Sequence, residues 1–531
     1  MHASLHESPF LSNGSGPSPI MTTLSKEELQ DRAVRGSLWT LLFVAVTMPL
    51  GIAGNAIVAR LLGPKEYGYL ALLTILFATA VTLAEIGFGQ ALTQWGVSSE
   101  TTGDTETTRG LLRRRTGFVL SFQFPVLGLS GILLLHEQPL WLLTLFVAVL
   151  LCMLLTNGAQ AVLLWSNRSA AIARISTVVG MLTHIGVIVV ALMSARAMSV
   201  WITRTLLSLI GPLIAVCLIC KHFRSALIRP RLPRRMPLGF WRFALLSWAA
   251  GVSATLVYTR SEVFILHLFR QETAVGIFAL AFGLSQQLTL PLDSLLAPLL
   301  PATAGLMTAH PSHIREGCLR SLRFVAVFAG LLAALTPALF FLIPLAFGEN
   351  YARSAMFFLP LGLASTLQSI TSPLNVLVYA RRDGGLLLRA NVSALLVDIA
   401  AALVLVGMIG GWGAVVANLL GQATSAVLLT RAEARAQHLT LKQLMPAMRA
   451  WLLALASLVP SFLLGYCGFA LWGALGAALV TAIVGPALYA LLLRLSGGAL
   501  TKADAQVLIK VFPSHSQSVL RLALRLVIKS W

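Results

Sequence analysis

Runs of about 20 apolar residues follow one another along almost the whole chain, and no other feature limits its fold so strongly. A helix needs that length to cross a bilayer, whereas β-barrel strands show alternating polarity instead. We read fourteen spans: 37–61, 67–95, 116–135, 140–165, 175–193, 199–220, 243–267, 275–301, 324–345, 354–380, 390–409, 412–430, 450–470 and 473–493. Charged residues make up 11% of the 531 and hydrophobic residues 57%. Too few charges remain to coat a soluble domain of this size, and disorder is excluded for the same reason.

The formal net charge is +20, from 39 Lys and Arg against 19 Asp and Glu. Such an excess in a soluble protein points to nucleic acid. Here the spans assign nearly all of it to alternate connections, which is the pattern of cytoplasmic loops. On the opposite side fall only Arg60, Lys65, Arg196, Arg204, Arg270 and Arg353, while Arg260 lies within a span. The expectation is a multi-pass protein of the cell inner membrane with both termini cytoplasmic, and no nucleic-acid partner.

The expected organisation has six parts: an N-terminal segment with a short amphipathic helix (1–36), a six-helix bundle (37–220), a basic Pro-rich linker (221–242), a second six-helix bundle (243–430), a loop with two extra helices (431–493) and an amphipathic tail (494–531). The tail spaces Arg521, Arg525 and Lys529 four apart, suiting a helix on anionic headgroups, so membrane lipids are expected partners. Ser25 and Glu28 have capping-box spacing at the other end. A weak repeat joins the bundles. A shift of 208 residues lays GYLALL (68–73) on GIFALA (276–281) and Glu85 on Asp293. Parallel repeats of six spans are a transporter architecture with the path between the halves.

No phosphate loop, H-E-x-x-H, G-x-S-x-G or dinucleotide fingerprint occurs. Five cysteines, with one C-x-x-C at Cys217 and Cys220, lack the second pair a metal site needs. The chain therefore reads as a transporter rather than an enzyme, with no cofactor. Any driving force would come from a gradient, H+ or Na+ among the ions.

Charges inside spans carry the functional signal, because each is costly unless paired or wet. Arg260 is the candidate substrate-binding residue, since a guanidinium matches phosphate geometry. Glu262, two residues on, points elsewhere on the helix. Asp398 sits mid-span with Asn391 two turns earlier, and a lone carboxylate there is a natural proton or sodium site. Asp293 follows Pro291 in a segment expected to kink, and Glu85 precedes Gly87 and Gly89. These five, from Glu262 to Glu85, are the ion-coupling or cavity candidates. His184 and His267 suit hydrogen-bonded core positions better than ligand contacts.

The stretch AGNAIVARLLGPKEYGYLALLTILFATAVTLAEIGFGQAL (53–92) resembles the first two helices of polysaccharide flippases, the Wzx-like oligosaccharide-lipid exporters of the multidrug/oligosaccharidyl-lipid/polysaccharide superfamily. Residues 259–306, FGENYARSA (347–355), the Arg-Arg-Asp-Gly-Gly turn at 381–385 and G-W-G-A at 411–414 also resemble that family. Where its pattern often reads Arg-x-Asp, this chain has Arg260-Ser261-Glu262. The resemblance implies an all-α fold of about fourteen transmembrane helices, two six-helix bundles in a V plus two C-terminal helices. It also implies outward flipping of undecaprenyl-pyrophosphate-linked glycans by alternating access, alongside a glycan polymerase and glycosyltransferases for O-antigen, lipopolysaccharide or exopolysaccharide. Rivals are a cation-coupled multidrug exporter of the same fold, which would favour acidic and aromatic cavity residues, and a lipid-II-type flippase, which would need several cavity arginines. A membrane-embedded glycan polymerase or ligase would need a large outer loop, and the outer connections are short.

Overall fold

The computed structural model describes residues 26–89, 91–92, 95, 105–134, 139–165, 169–219, 221–233, 236–259, 261–296, 314–380, 384–497, 500, 504 and 521. Among them the regular structure is entirely helical. Ten of the described helices are long and apolar enough to cross a membrane. With two of them doubled by an internal kink, this is the all-helical membrane fold the hydropathy requires.

The first half contains α1 (Lys26–Glu85), α2 (Thr105–Phe118), α3 (Phe124–Leu134), α4 (Leu140–Trp165), α5 (Ser169–Met193), α6 (Ala197–Ser208) and α7 (Ile210–Leu218). A short helix, α8 (Lys221–Ile228), follows. The second half contains α9 (Phe240–Thr259), α10 (Ser261–Leu268), α11 (Glu272–Leu296), α12 (Ile314–Ala334), α13 (Thr336–Phe347), α14 (Ala352–Ala380), α15 (Gly384–Ile409) and α16 (Gly411–Ala436). A last helix, α17 (Leu441–Leu495), packs against α12 and α13.

Left-handed backbone at Gly63 (φ 71°) folds α1 into two arms, and Gly473 (φ 69°) does the same for α17. Such φ values suit glycine because it has no Cβ to clash. The sequence places a short surface helix before the first span, but α1 runs unbroken from Lys26 to Gly63. The expected second span, 67–95, is interrupted: α1 ends at Glu85, and Ile86 and Gly87 turn with positive φ. The expected seventh span is represented by α9 and α10. Ser25 of the capping box and Arg525 and Lys529 of the tail lie outside the described residues.

The halves meet along the second arm of α1 and α11. There Gly68 and Gly276, the residues matched by the 208-residue shift, touch each other. A Cβ on Gly276 would fall 2.0 Å from the Pro64 carbonyl oxygen, and one on Gly68 would fall 2.8 Å from the Gly276 nitrogen. Only glycine permits so close a crossing in lipid, where packing between small residues joins helices. Equivalent residues meet in this way when they lie near an axis relating two repeats. Around the crossing, Lys65 pairs with Glu272 at 3.0 Å, Tyr351 donates its hydroxyl to the Ala59 carbonyl at 3.1 Å, and Arg60 donates to the Leu345 carbonyl. At the opposite, basic end, the α9 residues Phe240 and Trp241 pack edge-on against Phe88, and the Trp248 indole N–H donates to the Thr82 carbonyl at 3.0 Å.

Candidate functional site

Two polar regions lie inside the helical body, on either side of α10. The first is a cavity of about 520 Å³ between α1, α5 and α6 of the first half and α10 and α11 of the second. Its polar lining comprises Asn55, Tyr67, Thr74, Thr183, His184, Arg204, Gln286 and Gln287. No Asp or Glu lines it among the described residues. Tyr67 and Asn55 are bonded to each other, the amide nitrogen lying 3.0 Å from the phenolic oxygen. The His184 imidazole rests on a notch left by Gly51 and Gly54, where a Cβ on Gly54 would come within 3.2 Å of Nδ1. Arg204 sits on α6, two turns beyond its first residue, Ala197. A guanidinium facing a low-dielectric cavity attracts an anion and repels a cation.

The second region is a buried cluster on α10, α15 and α16. Val263 lines the cavity, while its neighbour Glu262 faces away from it and is completely buried. The Asn418 side-chain N–H donates to Glu262 Oε1 at 2.5 Å, and Gln422 in turn donates to Asn418 at 2.6 Å. Ser261 donates its hydroxyl to Asp398, and the same oxygen lies 3.2 Å from Glu262 Oε2. The two carboxyl groups thus face each other across one serine, 136 positions apart in sequence and both inaccessible to water. Two full negative charges cannot share so small a dry space without a proton or cation between them. No group of three or more His, Cys, Asp or Glu side chains able to hold a metal occurs among the described residues.

The structure therefore brings together two of the sequence candidates and separates the rest. Glu262 and Asp398 join in one cluster. Asn391, two turns from Asp398 on α15, donates instead to the Ala250 carbonyl at 3.3 Å and takes no part in it. Glu85 lies at the basic end of α1, where it accepts from the Gly89 N–H and its charge faces Arg115, which donates to the Leu154 carbonyl at 3.2 Å. Asp293 is exposed near the end of α11, and Pro291, where the sequence predicts a kink, lies inside that helix. Arg260 lies outside the described residues. None of the described candidates lines the cavity.

Sequence reasoning misses the cavity's own residues. The charge pattern counts Arg204 with the outer side because it lies near the start of the 199–220 span; the geometry puts it in the cavity wall. Gln286, Gln287, Asn418 and Gln422 carry no charge and attract no weight. The i, i+4 pairing of Asn418 with Gln422 inside an apolar run is the signal that could have found the last two.

A family model described as "Polysaccharide biosynthesis protein" matches residues 33–306, just over half of the chain. No curated protein matches the sequence. Among solved structures, the fold is similar to "Lipid II flippase MurJ, inward closed conformation", with a TM-score of 0.58 and 14% identity, covering 86% of this chain and 98% of that one. It is similar also to "Inward-facing conformation of a multidrug resistance MATE family transporter of the MOP superfamily", with a TM-score of 0.59 and 14% identity, covering 76% and 98%. At that identity the likeness establishes the fold alone. The family match establishes more: this multi-pass membrane chain belongs to the polysaccharide biosynthesis protein family, with the fold of the transporters and flippases to which it is similar.

Proposed function

We propose that the chain is a flippase that carries lipid-linked oligosaccharide, of the undecaprenyl-pyrophosphate type, across the inner membrane by alternating access. One observation carries this reading: a cavity shared by both halves presents Arg204 and His184 and no carboxylate among its described lining residues. That lining suits a diphosphate head. It suits a cationic drug poorly, so the multidrug exporter is disfavoured. The similarity in fold to a lipid II flippase supports a lipid-linked cargo. Arg260, one residue before Ser261 in the chain, is proposed as a second anchor for the same head.

Coupling is assigned to the Glu262 and Asp398 cluster, which would take H+ or Na+. Because Val263 is in the cavity wall and Glu262 is not, a change in the cluster's charge can reach the cavity through one turn of α10. The glycosyltransferases that build the cargo and a polymerase that consumes it are the partners this reading requires, and it holds the termini and basic loops in the cytoplasm. In a strain lacking the gene, lipid-linked intermediates should accumulate. The wild-type chain should clear them, and Arg204→Ala or Arg260→Ala should not, with Arg260→Lys retaining part of the activity. Normal clearance by both alanine variants would reject the reading.

A further inference from the structure

The Gln287 side-chain oxygen is buried and has no hydrogen-bond partner among the described residues. The oxygen is closed off as the amide stands, but the side chain is only half-buried and lies in the cavity wall, so rotation about its last torsion turns the oxygen to the cavity, where it can only accept. A buried acceptor left without a donor is costly, so the position calls for one. The cargo proposed above has three chemical parts. Its diphosphate offers acceptors and no donors at neutral pH, and its lipid tail offers neither. Only its sugars can donate, chiefly through their hydroxyls.

The space beside Gln287 supports this. Gly283 lies one turn earlier on the same face of α11 and also lines the cavity. A side-chain carbon added at Gly283 would meet no atom within 4 Å, and the same holds at Gly180 on α5. Two helices from different halves thus leave open room in the cavity that holds this unpartnered amide oxygen. Phe282 and Val263 provide apolar wall for a sugar's C–H face, and Gln286 adds a second amide. The volume of about 520 Å³ falls within the roughly 300–1,000 Å³ of sites that hold drug-sized ligands. It admits a diphosphate with a few sugar residues and excludes a long polymer.

We propose that Gln287, with the room left by Gly283, is the specificity-determining subsite that reads a hydroxyl of the cargo's sugar, while Arg204 on the facing half holds the diphosphate. This deepens the flippase reading and rests on it.

The test is titration calorimetry on the whole purified protein. The probes are a short polyprenyl diphosphate and the same molecule bearing one glucose, galactose, N-acetylglucosamine or N-acetylgalactosamine. Wild type should bind at least one sugar-bearing probe about tenfold more tightly than the bare diphosphate, the worth of roughly one satisfied buried hydrogen bond. Gln287→Leu should erase that increment and leave the affinity for the bare probe unchanged. Gly283→Leu, which extends into open space and leaves packing intact, should weaken sugar-bearing probes more than the bare one. The proposal is overturned if no sugar-bearing probe is preferred by wild type, or if the preference survives both substitutions. Arg204→Ala should weaken every probe alike. Unchanged binding of the bare diphosphate in that variant would overturn the flippase reading instead, whatever Gln287 does.

Discussion

Where α10 meets α15 in the second half, Ser261, Glu262, Asp398, Asn418 and Gln422 form a sealed acidic cluster. The 208-residue shift lays Glu262 on Gly54, in the first half's own first helix. That helix, α1, packs on α5 much as α9 and α10 pack on α15. Among the described residues the first half has no carboxylate there. It has the His184 imidazole seated against Gly54, open to the cavity. On the flippase reading, one repeat has kept its helix pair for contact with cargo, and the other has closed the equivalent place around two acids. A duplicated fold can separate binding from coupling in this way, because each half offers the same scaffold to a different set of side chains.

The basic ends differ in the same spirit. Arg115 on α2 faces Glu85, a residue of its own half. Arg323, at the shifted position on α12, is held in a fork by Asp504 from beyond α17, with both contacts at 3.1 Å. Arg320 reaches the same carboxylate at 3.2 Å. Asp293, the match of Glu85, is left exposed. The C-terminal segment has thus supplied the acid that the first half finds internally.

Breaking the acidic cluster should have the largest effect. Asp398→Asn keeps an acceptor for Ser261 but removes a charge, so gradient-driven flux in vesicles should fall at least about tenfold. His184→Ala should reduce flux only a few-fold, on the order of one lost contact, and leave ion dependence untouched. Equal ion responses in the two variants would end the comparison between the halves. Next in size is stability. Glu262→Leu removes a charged acceptor of the Asn418 N–H from a dry site and should cost about 2–3 kcal/mol, read from an unfolding midpoint. Asp504→Asn weakens the fork on Arg323 and should cost about 1–2 kcal/mol. Least affected should be Lys65→Ala. Its pair with Glu272 is exposed on both sides, and the midpoint should not move measurably.

Much of the fold is legible because membranes impose long apolar runs and sort basic residues to one side. The repeat is legible at Gly68 and Gly276, since a close crossing tolerates no side chain and so leaves a mark in sequence. The cavity leaves no such mark. Amides and hydroxyls such as Asn55, Thr74, Gln286 and Gln287 disturb hydropathy little, and several sit singly among apolar neighbours. Arg204 looks like a loop residue because hydropathy blurs the first turns of a span. The acidic cluster is visible as separate charges, but no spacing rule joins Glu262 to Asp398 across 136 positions. Only packing does that.

Photocrosslinking in cells asks whether the cargo passes through the cavity between the halves. A photoreactive residue replaces Gly283, where open space surrounds an added side chain, or Val404, 60% exposed on the outside of α15. A glycan-bearing lipid adduct should form at position 283 and far less at 404. Adducts of equal yield at both, or none at 283 while export continues, would contradict passage through this cavity.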